Sequence, residues 1–237
     1  MSSPASPDPA ASGARTRGRP PRLDRARTVE VALALLDEVG LDALTMRRLA
    51  DAMDVQAGAL YRYFATKQDL LAELADRMLA GCADPPSPGT GRAEHPDWPA
   101  QLTALAHRMR TALLRHRDGA RVYAGTHSTG ANTLGFADAL VGTLRGAGFG
   151  AADAARSAYA IVHFTIGHTL EEQAALPHGA QQQPPDAERL RAAITPDRYP
   201  HLAAAEPVLT GSDYATHFAY GLRLIIDGLR AQAPARP

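Results

Sequence analysis

Residues 45–67, TMRRLADAMDVQAGALYRYFATK, constrain the fold more than any other part of the chain. Apolar residues recur there at the spacing of two short helices with a three-residue break between them. Asp54 falls in that break, where a left-handed residue is expected, and Asp tolerates this conformation better than most residues. The pattern therefore predicts two crossed helices around a small apolar knot. Its members are Leu49, Ala50, Val55, Leu60 and Phe64.

Such a helix-turn-helix can place its second helix in the major groove of DNA while the first helix crosses the backbone. Ala57, Gly58 and Ala59 keep the start of the second helix thin, so its backbone can approach phosphates or base edges. A helical hairpin inside an ordinary all-α core is the alternative interpretation. The polar and aromatic side chains that point outward favour DNA binding. They are Arg47, Gln56, Tyr61, Arg62, Tyr63 and Lys67.

Two threonines provide the expected helix starts in this region. Thr45 can cap the first helix with its hydroxyl. Thr66, followed by Asp69 three residues later, resembles a capping box that opens the next helix.

The first 23 residues are predicted to form a disordered basic arm, because they are poor in apolar residues and rich in Pro, Gly and Ser. The whole chain has zero net charge, but residues 1–28 carry six arginines against two aspartates. Arg17-Gly18-Arg19-Pro20 resembles the core of an AT-hook. Arginines in such a segment lie in a narrow minor groove, where the negative potential is concentrated. A solvated basic tail is the alternative.

The remaining periodicity is helical and predicts an all-α fold. One helix is expected from about Asp24 to Val39, ended by Gly40, and another from Gln68 to about Ala80. The Pro- and Gly-rich residues 85–91 predict a linker between a DNA-binding domain, 24–84, and a ligand-binding and dimerisation domain, 98–233. Helices in the second domain are predicted over 98–116, 118–125, 132–147, 151–175 and 212–231. The proline-rich residues 177–211 predict a long loop with at most one short helix near 186–194.

Several classes of protein are disfavoured by what the sequence lacks. No apolar run reaches the ~18 residues of a membrane span, and the N-terminus does not resemble a secretory signal. The single cysteine, Cys82, cannot form an internal disulfide, which fits a cytoplasmic protein. The sequence contains no phosphate-binding loop, nucleophile elbow or paired-acid motif of the kind that would indicate an enzyme. The segments 151–175 and 212–231 are apolar nearly all round, which predicts burial against a second copy in a homodimer.

Residues 41–79 resemble the N-terminal domain of the TetR (tetracycline repressor) family. The resemblance continues through LLRHRDGARVYAGT (113–126), HFTIGHTLEEQ (163–173) and YGLRLIIDGL (220–229), which are similar to the regulatory domains of the tetracycline repressors themselves. It implies an all-α homodimer with a three-helix helix-turn-helix DNA-binding domain and a helical ligand-binding and dimerisation domain. Such a repressor binds a palindromic operator in double-stranded DNA and is released by a small organic effector.

The resemblance also implies roles for individual residues of the DNA-binding domain. Arg47 matches a base-contacting arginine. Thr45, Tyr61 and Lys67 match phosphate-contacting positions. Arg62 and Tyr63 fall where the family places other contacts with DNA.

In the ligand pocket, the family pattern changes in a way that predicts a metal-free effector. Tyr123 stands where the tetracycline repressors have a magnesium-binding histidine, while Thr126 and Glu171 are kept. Magnesium prefers carboxylates and water to a neutral phenol, so we expect neither a metal nor another cofactor. Leu105 and Met109 stand where the tetracycline repressors have two drug-binding residues, and they make the pocket more apolar.

Two histidines in the 151–175 segment complete the set of candidates. His163 and His168 are five residues apart on one predicted helix, which places them on different faces, so they do not form a metal pair. Both are interpreted as core or pocket histidines, with His163 among the ligand-binding residues. Two alternatives to a ligand-responsive repressor remain: a DNA-binding protein without an inducer, and an enzyme or small-molecule binder on a helical scaffold.

Overall fold

A computed structural model describes residues 24–84, 97–175 and 185–234 of the chain. Within these ranges the regular structure is entirely helical, so the all-α prediction is confirmed. The helices are α1 (Arg25–Val39), α2 (Met46–Ala52), α3 (Ala57–Leu60), α4 (Lys67–Met78), α5 (Trp98–Leu114), α6 (Gly119–Ala124), α7 (Ala131–Gly146), α8 (Ala151–Ala175), α9 (Pro185–Ala193), α10 (Pro200–Leu209) and α11 (Tyr214–Gln232).

Helices α1 to α4 form the head of the molecule around a small apolar core. Leu36, Leu49, Leu60, Phe64 and Leu74 are fully buried there. Burial of such side chains contributes ~1.5–3 kcal/mol each, which holds together helices that are too short to be stable alone. The head is therefore a packed unit in which the two helices of the motif are fixed relative to α1 and α4.

The local signals read from the sequence are present in the head. Asp54 lies in the left-handed region with φ +54°. Thr66 and Asp69 form the expected capping box: the Thr66 hydroxyl oxygen accepts from the Asp69 N–H at 3.1 Å, and the Asp69 carboxylate accepts from the Thr66 N–H at 2.9 Å. Gly40, with φ +79°, follows α1 as its C-terminal cap.

Helices α5, α7, α8 and α11 form the main layer of the remaining structure, which we call the core domain. Helix α8 packs against α5, α6, α7 and α11. Phe136, Leu140, Met109 and Phe218 are fully buried between these helices. Helix α8 is therefore the element through which the other helices of this domain are held together.

The head meets the core domain mainly through α4, which packs on α6 and α7. The loop between α1 and α2 makes a second junction, where the Leu41 N–H donates to the Asp118 carboxylate at 2.8 Å. Asp118 has a positive φ of +58° and also pairs with Arg121. These contacts connect the DNA-binding motif to the α5–α6 region.

The prediction of one short helix within residues 177–211 is wrong. Helix α9 lies where that short helix was expected, but a second helix, α10, follows it from Pro200 to Leu209. Proline was read as a loop signal, yet Pro200 is the first residue of α10, where its missing N–H costs nothing. The Ala203-Ala204-Ala205 run then favours the helix.

The proposed basic arm, 1–23 with Arg17 and Arg19, and the linker at 85–91 lie outside the described residues. Among the helices that are described, none is long and apolar enough to cross a membrane.

Candidate DNA-binding surface and effector cavity

Helix α2 is fixed at its start by Thr45. The Thr45 hydroxyl oxygen accepts a hydrogen bond from the N–H of Arg48 at 3.1 Å. This bond satisfies one of the backbone donors that are left unpaired at a helix start. The Thr45 side chain is exposed, and its hydroxyl hydrogen can still be donated to a phosphate.

Arg47 and Arg48 are neighbours on α2, but their guanidinium groups differ in their hydrogen-bond partners. Arg48 donates from its guanidinium to the carbonyl of Ala43 at 3.1 Å, which ties it to the preceding loop. Arg47 is exposed, and within the described ranges no hydrogen bond or ion pair holds its guanidinium. A guanidinium with its donors available can pair with the two acceptors on the edge of guanine. Of the two arginines, Arg47 is therefore placed to contact DNA bases.

The residues at the start of α3 have small side chains that leave its backbone accessible. Gln56, the N-cap residue, is exposed and makes no capping hydrogen bond with its side chain. Ala57 and Ala59 are half-buried, whereas Gly58 is exposed with no atom within 4 Å of the position that a Cβ would take. The space beside this turn is therefore open to a partner such as a DNA backbone.

After α3 the chain continues in turns that separate buried from exposed aromatic residues. Phe64 is fully buried, while Tyr61 is 50% exposed and Tyr63 38% exposed. Arg62 between the two tyrosines is also exposed. Arg25 on α1 fixes the turn, because its guanidinium donates to the Tyr63 carbonyl at 3.3 Å and lies 5.0 Å from the centre of the Phe64 ring. The contacts of Arg25 with the backbone and the buried ring thus hold in place the turn that exposes Tyr61, Arg62 and Tyr63.

Lys67 has a structural contact that the sequence did not reveal. Its ammonium group, at the start of α4, donates to the carbonyl of Leu41 at 3.1 Å. The side chain is half-buried, and the ammonium retains two further donor hydrogens. Lys67 therefore holds the α1–α2 loop against α4, and a phosphate contact from the same ammonium stays a prediction.

A cavity of about 400 Å³ opens between α8 and the segment that joins α6 to α7. Cavities that bind small molecules have volumes of ~300–1,000 Å³. Its wall brings together three of the predicted ligand-binding residues, Tyr123, Thr126 and His163. The other lining residues come from the same two parts of the chain: Ala124, His127, Ser128, Thr133, Tyr159, Val162, Ile166 and Gly167.

Three of the polar groups that line the cavity are hydroxyls whose surroundings are defined by the structure. Burial, with the nearby charge of Asp76, raises the pKa of Tyr123 to about 12, so its hydroxyl is protonated and can donate. The Thr126 hydroxyl donates to the Tyr123 carbonyl at 3.1 Å. The Thr133 hydroxyl oxygen is buried and has no hydrogen-bond partner among the described residues. The wall of the cavity thus carries the protonated phenol of Tyr123 and the residue Thr133, whose buried hydroxyl has no partner in the described part of the chain.

The outer side of the cavity is formed by aromatic rings on α8. Tyr159 stacks on His163, with ring centroids 5.6 Å apart and planes inclined by 23°. Tyr159 is 65% exposed, and His163 is exposed as well. A flat ligand can extend this stack, because offset aromatic pairs are favourable at this separation.

The other three predicted ligand-binding residues do not line this cavity. Leu105 and Met109 are buried on α5 within the apolar core. Glu171 is exposed on α8, two helical turns beyond His163. The resemblance assigns Glu171 to the site of the other subunit, so its role in ligand binding stays a prediction.

Sequence reasoning missed a buried charged pair next to Glu171. Both oxygens of Glu172 accept hydrogen bonds from Arg110, from Nε at 2.9 Å and from a terminal nitrogen at 2.6 Å. Burial lowers the pKa of His168, one turn away, while the charge of Glu172 acts in the opposite direction. The available sequence signal was the helical spacing of Thr165, Thr169 and Glu172, which places all three on one face of α8; the structure shows that this face is buried. This pair joins α5 to α8.

Comparison with known proteins agrees with these features. Residues 29–74 match the family model described as bacterial regulatory proteins, tetR family, and residues 90–233 match the tetracyclin repressor-like C-terminal domain. The second match covers more than half of the chain. The chain belongs to the TetR family.

Individual relatives match almost throughout their length. The class A tetracycline repressor from transposon 1721 of Escherichia coli is 40% identical over 213 residues, which cover 88% of this chain and 91% of that protein. A possible TetR family transcriptional regulator from Streptomyces coelicolor A3(2) is 62% identical in its crystal structure, with a TM-score of 0.78, covering 88% of this chain and 99% of that one. ActR from Streptomyces coelicolor, solved in complex with actinorhodin, is 28% identical with a TM-score of 0.77, covering 90% and 99%.

Membership confirms the function that the resemblance implied. This TetR-family protein is a ligand-responsive transcriptional repressor, with a helix-turn-helix head and a ligand-binding core domain. Regulators of the family bind DNA operators and small-molecule effectors and are dimers. The relatives are transcriptional regulators rather than enzymes.

Proposed function

We propose that this TetR-family protein is a homodimer that binds a palindromic operator through α2 and α3 and is released by a metal-free organic effector. The observation that carries the proposal is the cavity beside Tyr123, which has the size of a small-molecule site and is lined in part by residues of α6 and α7, the two helices of the core domain on which α4 packs. Gln68 on α4 donates to the carbonyl of Gly125 at 2.7 Å. A ligand next to Tyr123 is therefore close to the helix that follows the DNA-binding motif.

On the DNA side, the exposed guanidinium of Arg47 reads a base edge in each half-site. Thr45, Tyr61 and Lys67 bind phosphates, and the half-sites are centred ~34 Å apart or slightly more. The remaining contacts come from the surface around α3, formed by Gln56, Ala57, Gly58, Ala59, Arg62 and Tyr63. Arg17 and Arg19 of the N-terminal arm add minor-groove contacts on either side of the palindrome. A repressor must share a compartment with its operator, so the proposal places the protein in the cytoplasm.

On the effector side, the cavity does not fit the magnesium chelate that the family pattern implies. Tyr123, which stands at the metal-ligand position, has a pKa of about 12 and keeps its proton at neutral pH. A neutral phenol is a poor ligand for magnesium, which prefers carboxylates and water. The same phenol can donate a hydrogen bond to a carbonyl oxygen, and Tyr159 and His163 can stack on a ring. A planar aromatic effector with a carbonyl group suits these residues.

The dimer in this proposal forms through the exposed apolar residues of α8 and α11. Tyr159 is 65% exposed, and Tyr220 and Leu224 are each 56% exposed. Large exposed apolar residues on two helices that pack side by side are typical of a protein interface. A second copy packed on α8 also covers the open side of the cavity, and its own Glu171 reaches the effector from there.

The test begins with an operator selected by the protein from random duplex DNA. Fluorescence anisotropy of the labelled operator then follows release on addition of planar aromatic polyketides, dyes and actinorhodin, all with a chelator present. Tetracycline with magnesium is titrated in parallel. We expect release by at least one aromatic compound in chelator. Tight, magnesium-dependent release by tetracycline would contradict the proposed effector class while leaving operator binding intact.

A further inference from the structure

One carboxylate of the head reaches across to the core domain and caps one of its helices. Asp76, on α4, accepts a hydrogen bond from the Thr133 N–H through one oxygen at 2.8 Å. Its other oxygen accepts from the Asn132 side-chain amide, also at 2.8 Å. Both partners belong to the first turn of α7, where unpaired N–H groups and the helix dipole favour a negative charge. We call this arrangement the Asp76 bridge.

The backbone of α7 is shaped to receive this carboxylate. The N-cap residue of α7 is Gly130, which has no side chain with which to cap the helix. A Cβ added at Gly130 would lie 2.2–2.6 Å from the carboxylate atoms of Asp76. The φ of Gly130 is −69°, which any residue can adopt, so the close approach of Asp76 is what requires glycine here. The head thus supplies the cap that α7 lacks.

The same bridge borders the effector cavity. Thr133 lines the cavity, and its hydroxyl oxygen is buried with no hydrogen-bond partner in the described part of the chain. The charge of Asp76 is also close enough to Tyr123 to help raise the pKa of that phenol, after the larger effect of burial. A ligand that hydrogen-bonds to Thr133 therefore acts on the residue whose backbone Asp76 holds.

We propose that Asp76 couples the cavity to the head: with the cavity empty, the bridge holds α4 in its DNA-binding position against α7, and an effector bound to Thr133 opens it. Allosteric control requires an element that contacts both the effector site and the DNA-binding site. This element must have two states, one favoured by the bound effector and the other by bound DNA. The Asp76 bridge meets the first condition, because it joins a cavity residue to the helix after the DNA-binding motif. The inference rests on the proposed function, since it assumes release by a ligand in this cavity.

Two variants should open the bridge without any effector. Asp76→Ala removes the carboxylate, and Gly130→Ala displaces it while leaving Asp76 in place. Both should lower operator affinity at least tenfold in the absence of effector. Asp138→Ala is the control, because Asp138 is an exposed aspartate on α7, the helix that Asp76 caps. It should bind the operator as the wild type does.

A reciprocal exchange tests the bridge itself. Asp76→Asn alone removes the negative charge beside the first turn of α7 and should weaken operator binding, because a neutral amide interacts less favourably with the helix start than a carboxylate. Combined with Asn132→Asp, it returns a carboxylate to this place, paired with the new amide, and keeps an acceptor for the Thr133 N–H, so affinity should return to within threefold of the wild type. Thermal melting of each variant separates a loss of stability from a loss of coupling: the coupling role requires weaker operator binding by variants that are still folded at the assay temperature.

The outcomes separate this inference from the proposed function. If the wild-type protein binds the selected operator and the folded Asp76→Ala and Gly130→Ala variants bind it equally well, the coupling role of Asp76 is overturned while the proposed function stands. Failure of the wild-type chain to select any duplex would instead count against the proposed function. Because the measurement needs no effector, it does not depend on which effector class is correct.

Discussion

The head and the core domain of this TetR-family repressor are built by different kinds of interaction. In the head, the decisive features connect residues that are close in sequence, such as Thr66 with Asp69 or the turn at Asp54. In the core domain they connect distant residues: Arg110 pairs with Glu172, 62 positions away. The comparison teaches that the helix starts and the turn of the DNA-binding motif depend on local geometry, to which Arg25 and Lys67 add contacts from more distant positions, while the effector cavity depends on how separate helices meet.

The largest expected effect tests the long-range side of this comparison. Glu172→Ala leaves the guanidinium of Arg110, only 13% exposed, without its partner, and breaking a buried pair in this way costs ~3–5 kcal/mol. Asp153→Ala breaks an exposed pair with Arg156 on the same helix and should cost about 1 kcal/mol or less. Urea unfolding followed by circular dichroism measures both. Equal losses would show that the Arg110–Glu172 pair is not a main support of the core domain.

A smaller effect is expected for base reading by the head. Arg47→Ala should weaken operator binding by ~1–3 kcal/mol and leave binding to random DNA much less affected. Arg48→Ala removes the same charge from the same helix, but Arg48 is tied to Ala43, so its loss should not relax the sequence preference. Anisotropy titrations on the operator and on a scrambled duplex give the comparison. Equal losses on both duplexes for Arg47→Ala would remove Arg47 from the base-reading role.

The capping box tests how far the head depends on local bonds. Thr66→Ala removes the hydroxyl that accepts from the Asp69 N–H and should destabilise the protein by ~0.5–2 kcal/mol. Thr66→Ser keeps the hydroxyl and should restore most of that loss. Denaturant unfolding monitors stability, and operator affinity is read on the same samples. A serine variant as unstable as the alanine variant would mean that the methyl group, rather than the cap, is what matters.

The smallest effect concerns pH and the cavity. Because the pKa of Tyr123 is about 12, its hydroxyl stays protonated from pH 6 to pH 9. The ratio of effector affinities between wild type and Tyr123→Phe should therefore be constant over this range, and it should correspond to the ~0.5–1.5 kcal/mol of binding free energy that one hydrogen bond contributes. Isothermal titration at several pH values measures it, with whichever compound releases the operator. A ratio that falls steeply above pH 7 would indicate ionisation of Tyr123.

Tyr123 also affects stability at high pH, and the direction follows from its raised pKa. The folded protein holds this proton more tightly than the unfolded chain, where a tyrosine ionises near pH 10. Its contribution is therefore complete below pH 10 and is lost as the pH rises towards 12. Wild type should lose stability more steeply than Tyr123→Phe in that interval.

The sequence was sufficient for much of the fold and for the outline of the head. The helical periodicity, the left-handed Asp54 and the capping box at Thr66 all follow from interactions within a few residues, which a linear pattern records directly. The missed helix α10 shows the limit of this reading, since Pro200 has opposite meanings inside a helix and at its first position.

The tertiary structure alone decided which residues meet in the core domain. Two glutamates are adjacent in sequence, yet packing exposes Glu171 and buries Glu172 against Arg110. Asp76 reads as an ordinary helical aspartate until Thr133 is seen beside it, 57 positions later. The physical reason is that local hydrogen bonds depend on neighbouring residues, whereas contacts between distant segments form only once helix packing has fixed which side chains share a space.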